Sequence, residues 1–425
     1  MANARLFFPA LTVLCGLGLG SARAADWPQF LGPTGQGTAL DARLPLHWSE
    51  TNHVVWKTAV HDRGWSSPVL LDGQIWLTTA TEDGRELYAL CLDARTGRIL
   101  RDLKLFTVTE PQFAHQFNSY ASPTPVIEPG RVYVTFGSPG TACLDTRTGR
   151  VLWTRRDLPC NHWRGAGSSP ILWRNLFILH FDGADYQYVV ALDKETGRTV
   201  WRTRRTVDFR DLEPDGSIKL DGDLRKAFST PLVIELDGRP ALLSLGSRAL
   251  YLYDPATGRE FWRFVQYHCH SGTCRPLYAD GLALIGWGFP RGELSALKVA
   301  EAGFAHPPGE AWRVSRNAPN KPTPVRVGDL LFVVDDGGVG SCLEFRTGRS
   351  VWRKRIGGNY SASLLATRDR VYFFNEEGDT RVVRAARRFA LLAENRLDAG
   401  FMASPAVDGN ALILRTKTHL YRIAE

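Results

Sequence analysis

Short apolar runs separated by tight polar turns recur along this chain: Val69 to Leu71 leads into Asp72-Gly73 and then into Ile75-Trp76-Leu77. Such runs read as antiparallel strands joined by hairpins. A small hydroxyl residue and a proline open each unit, at Ser67-Pro68, Thr124-Pro125, Ser169-Pro170, Thr230-Pro231, Thr323-Pro324 and Ser404-Pro405. Arg275-Pro276 and Ser363-Leu364 are variants of the same pair. Proline is tolerated at the start of a strand with no ladder partner on one side. About 20 to 30 residues after these pairs comes a second repeat, complete in Ala191-Leu192-Asp193-Lys194-Glu195-Thr196-Gly197-Arg198-Thr199-Val200-Trp201. It returns with Asp145, Gly149 and Trp153, with Asp254, Gly258 and Trp262, and with Glu344, Gly348 and Trp352. A further copy has Asp93 and Gly97 with Arg101 in the Trp position. The Asp carboxylate caps the turn, Gly supplies the positive φ that closes it, and the next strand delivers Trp to a neighbouring surface.

Eight copies of the opening pair predict an all-β fold, an eight-bladed β-propeller of four-stranded antiparallel blades. Leu420 to Ile423 matches the third strand of a blade and the chain then stops, while Val54 to Lys57 supplies a strand near the amino terminus. The ring is therefore expected to close on its N-terminal strand, which removes exposed sheet edges. Three segments are expected: a signal peptide at 1–24, an N-terminal extension at 25–53 and the propeller at 54–425.

The signal is read from Arg5, the apolar stretch Leu6 to Leu19 and the small-x-small site Ala22-Arg23-Ala24. That stretch is short of the roughly 20 residues that span a bilayer. Leu14 before Cys15 argues against lipid attachment there. The expected product is exported and soluble, periplasmic or secreted, a monomer without a transmembrane segment. A net charge of +8, spread without a polybasic run, points away from nucleic acid. Cys91, Cys143 and Cys342 share one repeat slot and read as buried core. Cys160, Cys269 and Cys274 fall in loops, where two can pair in an oxidising compartment.

The pattern Ala-x-Asp-x-x-Thr-Gly-x-x-x-Trp, met in full by Ala191 to Trp201, resembles the tryptophan-docking motif of quinoprotein alcohol dehydrogenases and of the propeller lipoprotein of the outer-membrane barrel-assembly machinery. The opening Asp26-Trp27-Pro28-Gln29-Phe30-Leu31-Gly32-Pro33 and the close Thr416 to Ile423 resemble the bacterial exported PQQ-like β-propeller repeat proteins. That likeness covers nearly all of the chain after residue 24. It implies the fold and brings no assigned activity with it.

Two functions are therefore weighed. One is a binding or scaffold module of the cell envelope, taking a small polar ligand or a protein partner at its channel face. The other is a quinoprotein oxidoreductase acting on an alcohol or sugar, with PQQ and calcium as cofactors, which needs calcium-binding carboxylates and amides in the channel. Asp182, Asp185, Asp335 and Asp336 are scattered candidates; the adjacent cysteine pair of the alcohol dehydrogenases is absent. No metal site is assigned to His268-Cys269-His270 and Cys274, whose spacing fits no zinc module.

The channel-face connections carry His115, Asn118, Tyr120, His162, Trp163, His268, Lys321, Asn359 and Tyr360, a mixture that suits a polar ligand with a stackable ring. Arg275 replaces the repeat's hydroxyl and is expected to project towards the channel or to form a structural salt bridge. A hydrolase or lyase would need His115 or His162 beside a carboxylate. Arginines after the turn glycines, among them Arg98, Arg150, Arg198, Arg259 and Arg349, ring the opposite face. Residues 207–226 form a charged insertion, a lid or a tolerated excursion.

Overall fold

The turn motif does in space what its residue types suggest. In the copy at Asp193, Oδ1 accepts from the backbone N–H and the hydroxyl of Thr196, and these bonds hold its carboxyl below the usual range. Gly197 follows at φ +72°, and the strand Thr199–Arg204 returns along Gln187–Asp193. A one-residue bulge leaves Val200 without a partner, so that Trp201 pairs with Ala191 and is buried while Val200 faces solvent. Trp201 Nε1 donates to the carbonyl of Pro255 in the next blade's turn at 3.1 Å. Trp153, Trp262, Trp312 and Trp352 make the same bond to the carbonyls of Lys194, Gly303, Phe345 and Ala386. The rings of Trp153, Trp201 and Trp312 lie over a glycine of the next turn: a Cβ on Gly197 would stand 2.7 Å from Trp153, and one on Gly348 2.6 Å from Trp312. Arg101 takes the missing Trp's place, bonding to the carbonyl of Arg147 above Gly149, and Trp56 covers Gly97.

A computed structural model describes residues 26–425, so the expected signal at 1–24 and Cys15 lie outside the described residues. Those described form eight four-stranded antiparallel sheets, a β-propeller. Seven sheets use consecutive strands. In the eighth, Val54–Ala59 pairs with His419–Ile423, which continues to Ala411–Arg415 and Ala406–Asp408. Among the described residues helix is confined to the single turn Val299–Ala302, in the blade that lacks the Thr-Gly turn, and to 3-10 turns in Lys219–Arg225. No described helix is long and apolar enough to cross a membrane.

The core lies between blades. Val69 and Trp76 of one sheet share a cluster with Val132 and Val134 of the next.

Around the channel the opening hydroxyls form a hydrogen-bonded ring. The N–H of Ser67 donates to Thr124 Oγ1, that of Thr124 to Ser169 Oγ, and that of Ser169 to Thr230 Oγ1, at 2.9 to 3.1 Å. On the other side Arg275, Thr323, Ser363 and Ser404 donate in turn to Thr323, Ser363, Ser404 and Ser67. Arg275 brings no hydroxyl, so the ring has seven links and one gap.

All six described cysteines are free and buried. The disulfide weighed for Cys160, Cys269 and Cys274 does not form, because the three thiols face separate carbonyls, those of Tyr186, Arg291 and Pro322.

Candidate functional site

Each inner strand runs from the hydroxyl ring towards the hairpin-turn face, and the N-terminal extension crosses the channel on that side. Trp27 exchanges backbone bonds with Leu70, Pro28 accepts from Ile127, and Gly37 accepts from Ala366. Arg275 lies beneath the ring, 2% exposed; its Nη1 donates to the Phe30 carbonyl and its Nη2 to Gln29 Oε1. It makes no salt bridge with a described residue; its guanidinium reaches the N-terminal segment that crosses the channel, and burial without a carboxylate lowers its pKa.

The channel becomes a pocket of about 390 Å³, open on the face of the inter-blade connections. Phe30 belongs to its floor. Trp65, Phe117, Phe228, Phe289 and Met402 supply apolar wall, and six ring hydroxyls, Ser67, Thr124, Ser169, Thr230, Ser363 and Ser404, surround the base.

Of the residues expected at the channel face, His115, Asn118 and Lys321 line this cavity. His115 Nδ1 accepts from the Phe117 N–H. Asn118 donates to the carbonyls of Arg164 and Ala166 and accepts from Ser119 N–H and the Ser122 hydroxyl, which commits its amide to the fold. Lys321 Nζ lies 3.1 Å from Glu376, 3.5 Å from Asp336 and 4.2 Å from the Phe117 ring centre.

The others are placed elsewhere. Tyr120 bonds to the Gln112 carbonyl and covers Gly84. His162 is buried, its Nε2 accepting from Ser138 N–H, and burial pushes its pKa well down. Trp163 packs against Phe113, His268 is exposed, Asn359 bonds to Glu377, and Tyr360 is wholly buried. Neither His115 nor His162 has a carboxylate partner, so the hydrolase arrangement is not formed.

Sequence reasoning missed Phe30, Phe228, Phe289, Asn320 and Asp223. Asp223 comes from the insertion at 207–226, which is pinned by the 2.6 Å pair of Arg225 with Asp211. Its carboxylate meets Arg164 at 2.9 Å and His270 at 3.7 Å. Burial raises the Asp223 pKa, but His270 and Arg164 outweigh that and hold it below the usual range.

A family model described as outer membrane protein assembly factor BamB matches residues 41–156, 185–285 and 305–391, well over half of the chain. The chain belongs to this family. BamB of Vibrio cholerae is 24% identical over 280 residues, 56% of this chain and 68% of that protein. The solved BamB of Moraxella catarrhalis superposes with a TM-score of 0.62 at 12% identity, covering 88% of this chain and 97% of that one. Quinohemoprotein alcohol dehydrogenase from Comamonas testosteroni gives 0.64 at 14% identity, covering 94% and 80%. At these identities the solved structures establish a shared fold.

The residues present do not fit a calcium-held quinone. Calcium takes roughly six to eight oxygen ligands. The two carboxylates lining the cavity are engaged, Asp223 by Arg164 and Asp336 by Lys321 and the N–H groups of Asn320 and Lys321. Asp182 is locked in a bidentate pair with buried Arg205, and Asp185 and Asp335 cap loops. Among the described residues no three His, Cys, Asp or Glu side chains are grouped to hold a metal.

Proposed function

We propose that this protein is an exported binding module of the cell envelope, a monomer that engages an envelope partner or ligand at its channel face. The observation that carries the reading is the one-ended cavity, with Phe117 and Phe289 exposed in its lining and its charged groups already paired with one another. Apolar surface held open on a rigid scaffold suits recognition, whereas His115, the histidine that lines the cavity, has no carboxylate neighbour of the kind that proton transfer needs. Membership of the family, and the assembly-factor name of the Vibrio cholerae relative, support an envelope role connected with outer-membrane assembly.

The test is native-gel migration of detergent-solubilised envelopes containing wild type or a Phe117→Ser, Phe289→Ser double variant. Both side chains are exposed enough for the variant to fold. Wild type is expected in a larger complex that the variant fails to join. Migration of the wild type as a lone chain overturns the reading.

A further inference from the structure

We infer that a second, inner cavity binds one monovalent anion of chloride size against the Lys226 ammonium. The site is separate from the channel face and owes nothing to the binding reading above.

Three segments build it. Lys226 closes the charged insertion and leads into Ala227, the strand Leu176–Asp182 presents His180 and Asp182, and the connection into Ser169-Pro170 brings Gly167 and Ser168. Together they line a cavity of about 10 Å³, room for one small ion or one water. Gly167 lines this cavity and the channel cavity alike, and Phe228 packs on it, so that a Cβ there would stand 2.9 Å from the Phe228 ring. The route in from the channel therefore passes Phe228.

The buried charges do not balance. Asp182, Arg205 and Lys226 are all buried, and Arg205 neutralises Asp182 through two bonds, which leaves the Lys226 ammonium over. The other acids around it are spent or distant: Asp223 is paired with Arg164, and Asp185 is exposed. Burial keeps the Cys160 thiol protonated and holds His162 and His180 neutral, so none of them supplies a negative charge. With its pKa near 8, Lys226 is still charged at pH 7. A buried cation without a counter-charge is costly.

The lining is also rich in unspent donors. Lys226 Nζ faces the Phe228 ring at 4.9 Å, but among the described residues no carboxylate or carbonyl takes its protons. It is not sealed by its neighbours and keeps a little accessible surface. The N–H groups of Gly167, Ser168 and Ala227 and the Ser168 hydroxyl likewise donate to no described residue. His180 has both ring nitrogens engaged, by the Ser229 carbonyl and the Ser244 hydroxyl. An occupant here must chiefly accept, which an anion does at every point of its surface. A water would have to donate as well, and would leave the charge uncompensated. Phosphate, sulfate and carboxylates are too large for the space.

The experiment is urea unfolding of the purified protein at pH 7, in sodium gluconate and in rising sodium chloride at constant ionic strength. The folded-to-unfolded ratio of wild type is expected to rise about tenfold for each tenfold of chloride above the dissociation constant. Lys226→Met should lose this response, so that any advantage it holds is full in gluconate and shrinks as chloride rises. Lys354→Met, at an exposed lysine, should keep the wild-type response. Sulfate, which acts by exclusion from the surface, should affect wild type and Lys226→Met alike. Crystals soaked in sodium bromide should show an anomalous peak beside Lys226 Nζ. No chloride-dependent gain in wild type, an equal gain in Lys226→Met, or no bromide peak at Lys226 overturns the assignment and leaves the ammonium to a water.

Discussion

Arg275 Nη1 donates to the carbonyl of Phe30 at 2.5 Å, and through this bond the one blade without a ring hydroxyl holds the segment that floors the cavity. The exception in the repeat and the closed channel are thus one feature. A Thr at 275 would extend the ring but could not reach Phe30; the long guanidinium reaches both Phe30 and Gln29.

Arg275→Thr is accordingly expected to loosen residues 27–37 while leaving the blades intact. Hydrogen bonds from a charged donor contribute about 1.5 to 3 kcal/mol, so exchange of the hydrogen-bonded amides of Gly32, Gly35 and Gly37 should quicken by one to two orders of magnitude. Unchanged exchange there would show that Trp27 and Gly37 hold the segment without help.

The docking of Trp201 on the next turn separates two glycines with the same backbone. Gly258 and Gly238 sit at φ +72° and +69°, but an added Cβ meets Trp201 Cε3 at 2.4 Å at the first and nothing within 4 Å at the second. Ala at either position suffers the left-handed strain, about 1 to 2 kcal/mol, and Gly258→Ala adds overpacking of about 1 to 3 kcal/mol. Urea denaturation should rank Gly258→Ala clearly below Gly238→Ala; equal losses would mean that the Trp ring gives way freely.

These positions mark what was legible in the sequence. Blade number, strand order and closure could be read because each blade repeats its turn chemistry, and the break at Arg275 stood out against that repeat. The bond partners could not be read. Ser67 and Thr124 are 57 residues apart and meet only once the ring has formed. Histidine and aromatic content pointed to the inter-blade loops, from which His115, Asn118 and Lys321 line the cavity, yet His162 and Tyr360 turned inward, and Phe289 entered the cavity from a turn within a blade. Phe30, Asn320 and Asp223 occur once each in non-repeating segments, so no periodicity singled them out.

Lys226 gives the fold a pH signature. It is 1% exposed, its Nζ lies 4.9 Å from the Phe228 ring centre, and burial lowers its pKa from 10.5 to about 8 despite the nearby Cys160, Asp182, Asp223 and Asp185. Below pH 8 the folded state carries a buried cation at a constant cost. Between pH 8 and 10.5 the folded state has released a proton that the unfolded chain keeps, so this group's contribution to stability rises with pH. Lys226→Met should raise stability at pH 7 by up to about 3 kcal/mol and remove that rise. Denaturant titrations at pH 7 and pH 10 check both; a destabilised Met variant at pH 7 would show that the ammonium is held favourably.

The claim that the channel face is the working surface is tested most directly by a photo-crosslinking amino acid placed in living cells at Phe289, at the cavity, or at Arg150, on the opposite face. Adducts to an envelope protein from position 289 and none from 150 are predicted. Adducts from position 150 alone, or from neither position, would contradict the account.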